Sequence, residues 1–328
     1  MTIGLLLVLL LVLGAEFANG LTDAANAIAT VVGTRVLTPA KAVAMAAVLN
    51  MVGVIVTGTA VAATVGKGIV KPEAITLQTV AAGMLTIVVW TFAAWFFGIP
   101  TSETHELVAG LAGAGLATGG PSALLWEGWQ KVLIGLGVST LVGFGLAFLI
   151  MVAIYWIFRK VRRYRASRLF GRLQILSAAF MAFSHGSNDG QKFMGVFALA
   201  LLLGGVHDTF YVPLWVMLLC GSVMAVGTAT GGWRIIRTMG SKISRLEPVH
   251  GFAAETAASV AILVSSRFGI PLSTTHTIGT AIMGVGATRR LSAVNWNVSR
   301  QIAATWVVTF PACLLLGYLF SLLFGLLF

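Results

Sequence analysis

Charge is what this chain lacks. Only 9% of its 328 residues are charged, while 58% are hydrophobic; ordinary soluble domains carry roughly 25% charge. So few charges do not cover the surface of a water-soluble protein of this length, and that class is excluded. The two cysteines, Cys220 and Cys313, stand singly in apolar runs, which excludes a disulfide framework and a cysteine-based metal pattern. The apolar stretch from Ile3 to Leu13 has no positively charged start, so it reads as a first membrane helix and not as a signal peptide. Strict polar–apolar alternation is missing as well. The apolar runs are continuous over about 18 residues or more, long enough to cross a bilayer as helices and unlike the strands of a β-barrel.

The charges that are present lie unevenly. A net charge of +11 raises the question of nucleic acid, but seven of the 21 basic residues fall in one short segment: Arg159, Lys160, Arg162, Arg163, Arg165, Arg168 and Arg172. That is the distribution of a cytoplasmic loop under the positive-inside rule, in reach of anionic lipid heads, and no nucleic-acid partner is expected.

The chain then repeats itself. Residues 98–105 read Gly-Ile-Pro-Thr-Ser-Glu-Thr-His and residues 269–276 read Gly-Ile-Pro-Leu-Ser-Thr-Thr-His. Upstream, Phe17-Ala-Asn-Gly-Leu-Thr-Asp23 answers Phe183-Ser-His-Gly-Ser-Asn-Asp189. Asp23 precedes His105 by 82 residues and Asp189 precedes His276 by 87. Two motifs in the same order at nearly the same interval indicate a duplicated half. The expected division is a first transmembrane repeat at 1–158, a basic cytoplasmic linker at 159–172 and a second repeat at 173–328.

Apolar stretches fall at about 2–34, 41–63, 74–97, 98–125 and 129–158, then at about 173–205, 211–232, 251–267, 269–288 and 300–326. Five crossings per half is odd, so the second half is expected to enter the membrane upside down relative to the first. The fold expected is an all-α polytopic membrane protein, an inverted-topology repeat of two five-span halves with about 10–12 transmembrane segments. The first stretch of each half exceeds one simple span and carries a polar motif near its middle, which predicts a broken helix. The fourth opens with Gly-Ile-Pro, which predicts a re-entrant hairpin or broken span lined by protein or water. Counting out from the basic segment places residues 159–172 inside and both termini outside, with Lys67 and Lys71 as exceptions to the charge rule.

An ionisable residue at membrane depth is costly and therefore a functional candidate. Asp23 and Asp189 occupy matching places, and Asn26 shares a helical face with Asp23. Such oxygens suit a hard cation such as Na⁺, or a carboxyl that takes up a proton. Thr101, Ser102 and Thr104, and Ser273, Thr274 and Thr275, each follow a proline and precede a Gly-rich helix. A helix start offers free N–H groups and the positive dipole end, and hydroxyls add donors. Two such starts meeting near the midplane would cradle a tetrahedral oxyanion. His105 and His276 read first as structural groups that orient the motifs, with tuning or relay of protons as the alternative. Glu16, Glu103, Glu106 and Glu255 are further acids in apolar surroundings, open as proton carriers, as partners of Lys192 or as buried neutral acids. No cofactor and no catalytic residue is expected.

On Asn19-Gly-Leu-Thr-Asp-Ala-Ala-Asn26-Ala-Ile-Ala-Thr30, His185-Gly-Ser-Asn-Asp-Gly-Gln-Lys-Phe-Met-Gly195 and the two Pro-x-Ser-x-Thr-His segments, the chain resembles the inorganic phosphate transporter (PiT) family, bacterial low-affinity type, over nearly its full length. The resemblance implies a multi-pass protein of the cell (inner) membrane that imports inorganic phosphate by Na⁺ or H⁺ symport through alternating access, as a homodimer. Carried over by position, Ser102, Thr104, Ser273 and Thr275 would contact phosphate. Asp23, Asn26, Asn188 and Asp189 would bind the coupling cation and complete the phosphate site, with Na⁺ possible at Asp23, Asn26 and Asp189. Thr274 and Lys192 are assigned to the phosphate side. Lys192 stands where the first half has Asn26. That departure makes H⁺ symport, or transport of a metal-phosphate complex, a candidate beside Na⁺ symport. A sulfate or other oxyanion transporter, and a membrane-embedded phosphatase, are the alternatives. Buried acids favour phosphate, which can donate hydrogen bonds where sulfate cannot, and two near-equivalent clusters disfavour an enzyme.

Overall fold

The computed structural model describes residues 2–327, with side chains through residue 326. It is helical throughout: α1 Ile3–Gly33, α2 Pro39–Val56, α3 Ala60–Gly68, α4 Leu77–Phe97, α5 Glu103–Gly119, α6 Trp126–Gly137, α7 Gly143–Phe158, α8 Arg163–Leu203, α9 Leu214–Thr230, α10 Trp233–Arg237, α11 Pro248–Arg267, α12 Thr274–Ala287 and α13 Trp296–Leu327. The described residues form no sheet, only two isolated bridges, Val70 to Leu124 and Ser244 to Val294, one at the corresponding place in each half.

Among the described residues six helical spans are long and apolar enough to cross a membrane, α6 and α7 counting as one (Trp126–Phe158), or seven if the α9–α10 pair, bent by 63°, forms one. The ten apolar stretches of the sequence exceed this number for physical reasons. Stretches 98–125 and 269–288 become α5, of 17 residues, and α12, of 14, shorter than the roughly 20 residues a full crossing takes. At the other extreme, α8 runs unbroken for 41 residues, but its polar motif lowers its hydropathy. Its first turns absorb the basic segment from Arg163 onward, leaving a short connection after α7.

The breaks expected in the first stretch of each half are not there: α1 is one helix of 31 residues. The glycines of the polar motifs serve close packing instead of bending. A Cβ on Gly20 would collide with the backbone of Met224 in α9, and a Cβ on Gly186 with the backbone of Asn50 in α2. Thus α1 lies tightly on α9 and α8 on α2. The same crosswise pairing recurs where Gly113 of α5 meets the backbone of Leu314 in α13 and Gly284 of α12 meets that of Phe144 in α7. Each half is completed by helices of the other.

Two hydrophobic clusters sit on either side of a polar middle. One gathers the first part of α1 (Leu5 to Ala15), α4, α5 and the last part of α8 (Phe193 to Leu201). The other gathers the last part of α1 (Ala25 to Val31), the first part of α8 (Phe170 to Ala182), α11 and α12. So α1 and α8 run in opposite directions, and the α4–α5 hairpin lies on one side while the α11–α12 hairpin lies on the other. Both hairpins turn at Gly-Ile-Pro on a glycine of positive φ, Gly98 at 67° and Gly269 at 66°, a conformation that a Cβ disfavours.

This packing predicts that Gly186→Val, which sets two methyls against the α2 backbone, costs about 1–3 kcal/mol or more. A lower melting temperature of the detergent-solubilised protein, followed by tryptophan fluorescence, is the expected result. An unchanged melting curve would contradict the close approach.

Candidate functional site

The two hairpin tips touch. Ser102 caps α5 by accepting from the His105 N–H, and Ser273 caps α12 by accepting from the His276 N–H. The Ser102 hydroxyl donates to Ser273 Oγ across 2.8 Å. Two helix starts, with their unpaired N–H groups and positive dipole ends, therefore face each other at the boundary between the clusters. Behind them the two motif histidines meet edge to face, rings 4.7 Å apart, and His276 stacks on Trp306.

The acidic motifs of α1 and α8 reach the tips crosswise. Asn26 Nδ2 donates to Thr274 Oγ1 at 3.1 Å and to Thr275 Oγ1 at 2.9 Å, on the second hairpin. Lys192 Nζ donates to Thr104 Oγ1 at 2.6 Å, on the first. Asn26 and Lys192 are counterparts, as are Thr275 and Thr104, so one hydrogen bond occurs twice, once from an amide and once from an ammonium. Lys192 spends its other two hydrogens on Asp189 Oδ1 at 2.6 Å and the Leu272 carbonyl at 3.0 Å, and Thr104 donates to that carbonyl at 2.7 Å. Thr274 donates to Asp189 Oδ2 at 2.9 Å and lies 3.4 Å from Asp23 Oδ2. Thr275 stands 3.3 Å from Asp23 Oδ1. All these side chains are buried. Removing one partner of the Lys192–Asp189 pair would leave an uncompensated buried charge, a loss of about 3–5 kcal/mol.

Asp23, Asn26, Asp189, Lys192, Thr104, Thr274 and Thr275 thus fall into one connected network, Ser102 and Ser273 form a separate pair beside it, and Asn188 turns to Ser266 of α11, donating at 2.8 Å. Several members are new. His185, one helical turn before Asp189, places Nε2 3.3 Å from Asp189 Oδ2 and 4.0 Å from Asp23 Oδ2, with Nδ1 on Asn50 Oδ1 at 3.2 Å. Asp23, His185 and Asp189 offer ligand atoms all within 4.8 Å of one another, a donor set that fits a cation. The i, i+4 spacing of His185 and Asp189 was the available signal. Ser139 accepts from the Ser273 N–H at 3.1 Å. It lies in a π-helical turn, Val138–Val142, between α6 and α7, a local irregularity that sequence periodicity does not announce. Glu103 accepts from Thr22 at 2.8 Å and shares Thr91 with Glu106. Glu255 accepts from Thr30, Gln174 and Ser177.

Paired hairpins whose tips meet at a buried polar centre, inside a bundle of apolar helices, define an integral membrane protein of the transporter class. The chain belongs to the Phosphate transporter family, whose model matches residues 19–168 and again 159–317. It is 44% identical over 305 residues to a "Probable low-affinity inorganic phosphate transporter" of Rhizobium meliloti (strain 1021), covering 93% of this chain and 91% of that one. It is 37% identical to a protein of the same description from Bacillus subtilis (strain 168), over 98% of each. These relatives are described as transporters, not enzymes. A solved structure titled "The sodium-dependent phosphate transporter" superimposes with a TM-score of 0.86 over 100% of both chains at 24% identity, which shows the shared fold.

Contact between the tips predicts that Ser102→Cys with Ser273→Cys forms a disulfide under mild oxidation, because the two Oγ atoms are already within side-chain reach. With a protease site placed in the connection between α7 and α8, the two fragments are expected to migrate together without reductant and apart with it. Separate fragments under both conditions would show the tips to be distant.

Proposed function

We propose that this protein is a secondary active transporter that imports inorganic phosphate by cation symport through alternating access. The observation that carries the reading is the hydroxyl contact between Ser102 and Ser273, with a helix start on each side of it. An oxyanion entering there replaces one hydroxyl–hydroxyl bond with bonds from Ser102 and Ser273, and from Thr104, Thr274 and Thr275 after modest rotation. The free N–H groups of α5 and α12 face the same point. Lys192 supplies the positive charge, and Asn188 would complete the shell only on releasing Ser266. Asp23, Asn26 and Asp189 are the coupling-cation residues of this reading.

The opposite courses of α1 and α8, and of the two hairpins, support an inverted repeat of two five-element halves. In such a repeat, rocking of one set of helices opens the shared centre to either side in turn. Arg159, Arg163 and Arg289 line one surface cavity, and Arg245, Arg289 and Arg290 another. Both lie at the same end of the bundle as Arg35 and Lys41. The positive-inside rule makes that end cytoplasmic and puts both termini outside, in an inner-membrane protein. The relatives' descriptions support phosphate over sulfate. We read the chain as a homodimer in the bilayer on family resemblance.

Lys192 bears on the coupling ion. Its ammonium fills the place that an amide and a cation share in a symmetric site, so one ion is built in. The sodium-dependent title of the structural neighbour favours Na⁺ at Asp23 and Asn26, while the built-in ammonium leaves H⁺ to complete the charge balance. The Asp23–His185–Asp189 cluster also fits a divalent metal arriving with phosphate.

Uptake of labelled phosphate into proteoliposomes, with Na⁺ and pH gradients imposed separately, tests the reading. Asp23→Asn and Asp189→Asn are each expected to reduce uptake at least about a hundredfold, as loss of a charge-assisted contact of 3 kcal/mol or so implies. Near-normal uptake by both would refute their assignment. Lys192→Asn restores the amide of the other half and is expected to raise the dependence on Na⁺; an unchanged cation preference would remove Lys192 from the coupling scheme.

A further inference from the structure

The network at the hairpin tips does not use the whole polar surface of α1. Glu16, Asn19, Asp23, Asn26 and Thr30 follow one another at intervals of three or four residues, so they form one stripe along the helix. All five are buried. Asp23 and Asn26 engage the tips, and Thr30 donates to Glu255 at 2.5 Å. Glu16 and Asn19 are different. Neither Glu16 oxygen and neither amide atom of Asn19 makes a hydrogen bond of good geometry among the described residues, although both side chains are wholly buried and the Asn19 amide lies near enough to act on the Glu16 carboxyl. Four orphaned polar atoms on adjacent turns in an apolar surround are expensive, which indicates that something binds there.

The donor set selects what binds. Glu16 and Asn19 provide three oxygens, about half of what a metal cation gathers, and the neighbouring Val12 and Ala15 belong to an apolar cluster or are fully buried. A proton suits the pair better. A protonated Glu16 offers one O–H and one carbonyl, and the primary amide of Asn19 one turn away offers the complementary carbonyl and N–H. A small rotation closes two reciprocal bonds and satisfies both groups. An ionised Glu16 can accept from the Asn19 N–H but leaves Asn19 Oδ1 unpaired. Lys192 makes no hydrogen bond to Glu16, since its three ammonium hydrogens go to Asp189, Thr104 and Leu272, and the Asp189 carboxylate beside it opposes its attraction for Glu16.

We propose that Glu16 binds the coupling proton of this transporter, with Asn19 as the group that closes on the acid. The inference rests on the phosphate-symport reading above and deepens it. The link to phosphate is electrostatic. Glu16 is seven residues from Asp23, about 10 Å along the helix, and at that range in a protein interior each added negative charge raises its affinity for a proton about tenfold. Phosphate arriving at the tips therefore draws a proton onto Glu16, and by reciprocity a proton on Glu16 tightens phosphate. The proton leaves Glu16 when phosphate leaves, on the side where phosphate is released. The groups that face Glu16 are Asp189 and Lys192 from α8 and the thiol of Cys220 from α9. Asp23 is on its own helix, and α4 contributes no ionisable side chain.

The test uses the full chain in proteoliposomes containing a trapped pH dye. For the native protein, phosphate entry should carry protons inward, and accumulation should rise about tenfold per pH unit for each coupled proton. Glu16→Gln, which resembles the protonated acid in shape and charge, should still exchange internal for external phosphate, at an altered rate, while losing phosphate-linked proton entry and accumulation up a pH gradient. Glu16→Gln that accumulates phosphate with the pH gradient as the native protein does would overturn the proposal. Glu16→Asp provides the second readout, because it keeps the acid but withdraws it from Asn19. The pH midpoint of phosphate binding in detergent should shift, and a midpoint equal to the native one would also overturn the proposal. A native protein that exchanges no phosphate would refute the transport reading itself and this inference with it.

Discussion

Two helix starts held tip to tip inside an apolar bundle are the arrangement on which the rest of this structure depends. Each start brings unpaired N–H groups and a positive dipole end to a depth where no bulk water relieves them. Ser102 and Ser273 take one of those N–H groups each and spend the remaining hydroxyl capacity on one another. The positive field that remains is met from the side by Asp23 and Asp189 on two helices running in opposite directions. The close helix packing, the interleaved halves and the glycine turns all keep these four groups in register.

Interleaving follows from that requirement. Were each half to fold by itself, its hairpin would see only its own acidic helix. Instead Asn26 of the first half serves the second hairpin and Lys192 of the second half serves the first. The price is backbone-to-backbone contact between halves, and glycines at positions 20, 186, 113 and 284 permit it. Within this near-symmetric frame the departures stand out. An ammonium replaces an amide at Lys192, Glu103 stands where the other half has Thr274, and a π-turn at Val138–Val142 corresponds to Pro311 within α13. A site with one fixed positive charge and several buried acids is not neutral to protonation, and the Glu16–Asn19 pair lies on the same α1 stripe.

Much of this was legible in the residues because duplication doubles the signal. One Pro-x-Ser-x-Thr-His is an ordinary helix cap; two of them, each behind an acidic motif, single out Ser102, Ser273, Asp23 and Asp189. What was misread has a common cause. A break is expected in α1 and α8 because each stretch is longer than one span and carries a polar motif near its middle, whereas the glycines of those motifs, Gly20 and Gly186, sit against partner helices and both helices run on. Partner helices give those positions their value, and periodicity carries no trace of a partner. Likewise His185, Ser139 and the bonds of Thr22 and Thr91 to Glu103 depend on neighbours that are distant in the chain.

By itself, then, the sequence determined the solvent and the residue types that meet at the centre: scarcity of charge permits only a membrane setting, and the same two motifs stand twice in the same order. Tertiary structure alone decided which copy serves which hairpin, how far the helices run unbroken, and which buried polar groups remain without partners. The physical reason is range. Hydropathy and capping act over a few neighbouring residues, whereas satisfying a carboxylate or an amide inside a bilayer depends on side chains brought in from as many as 252 positions away, as between Asp23 and Thr275.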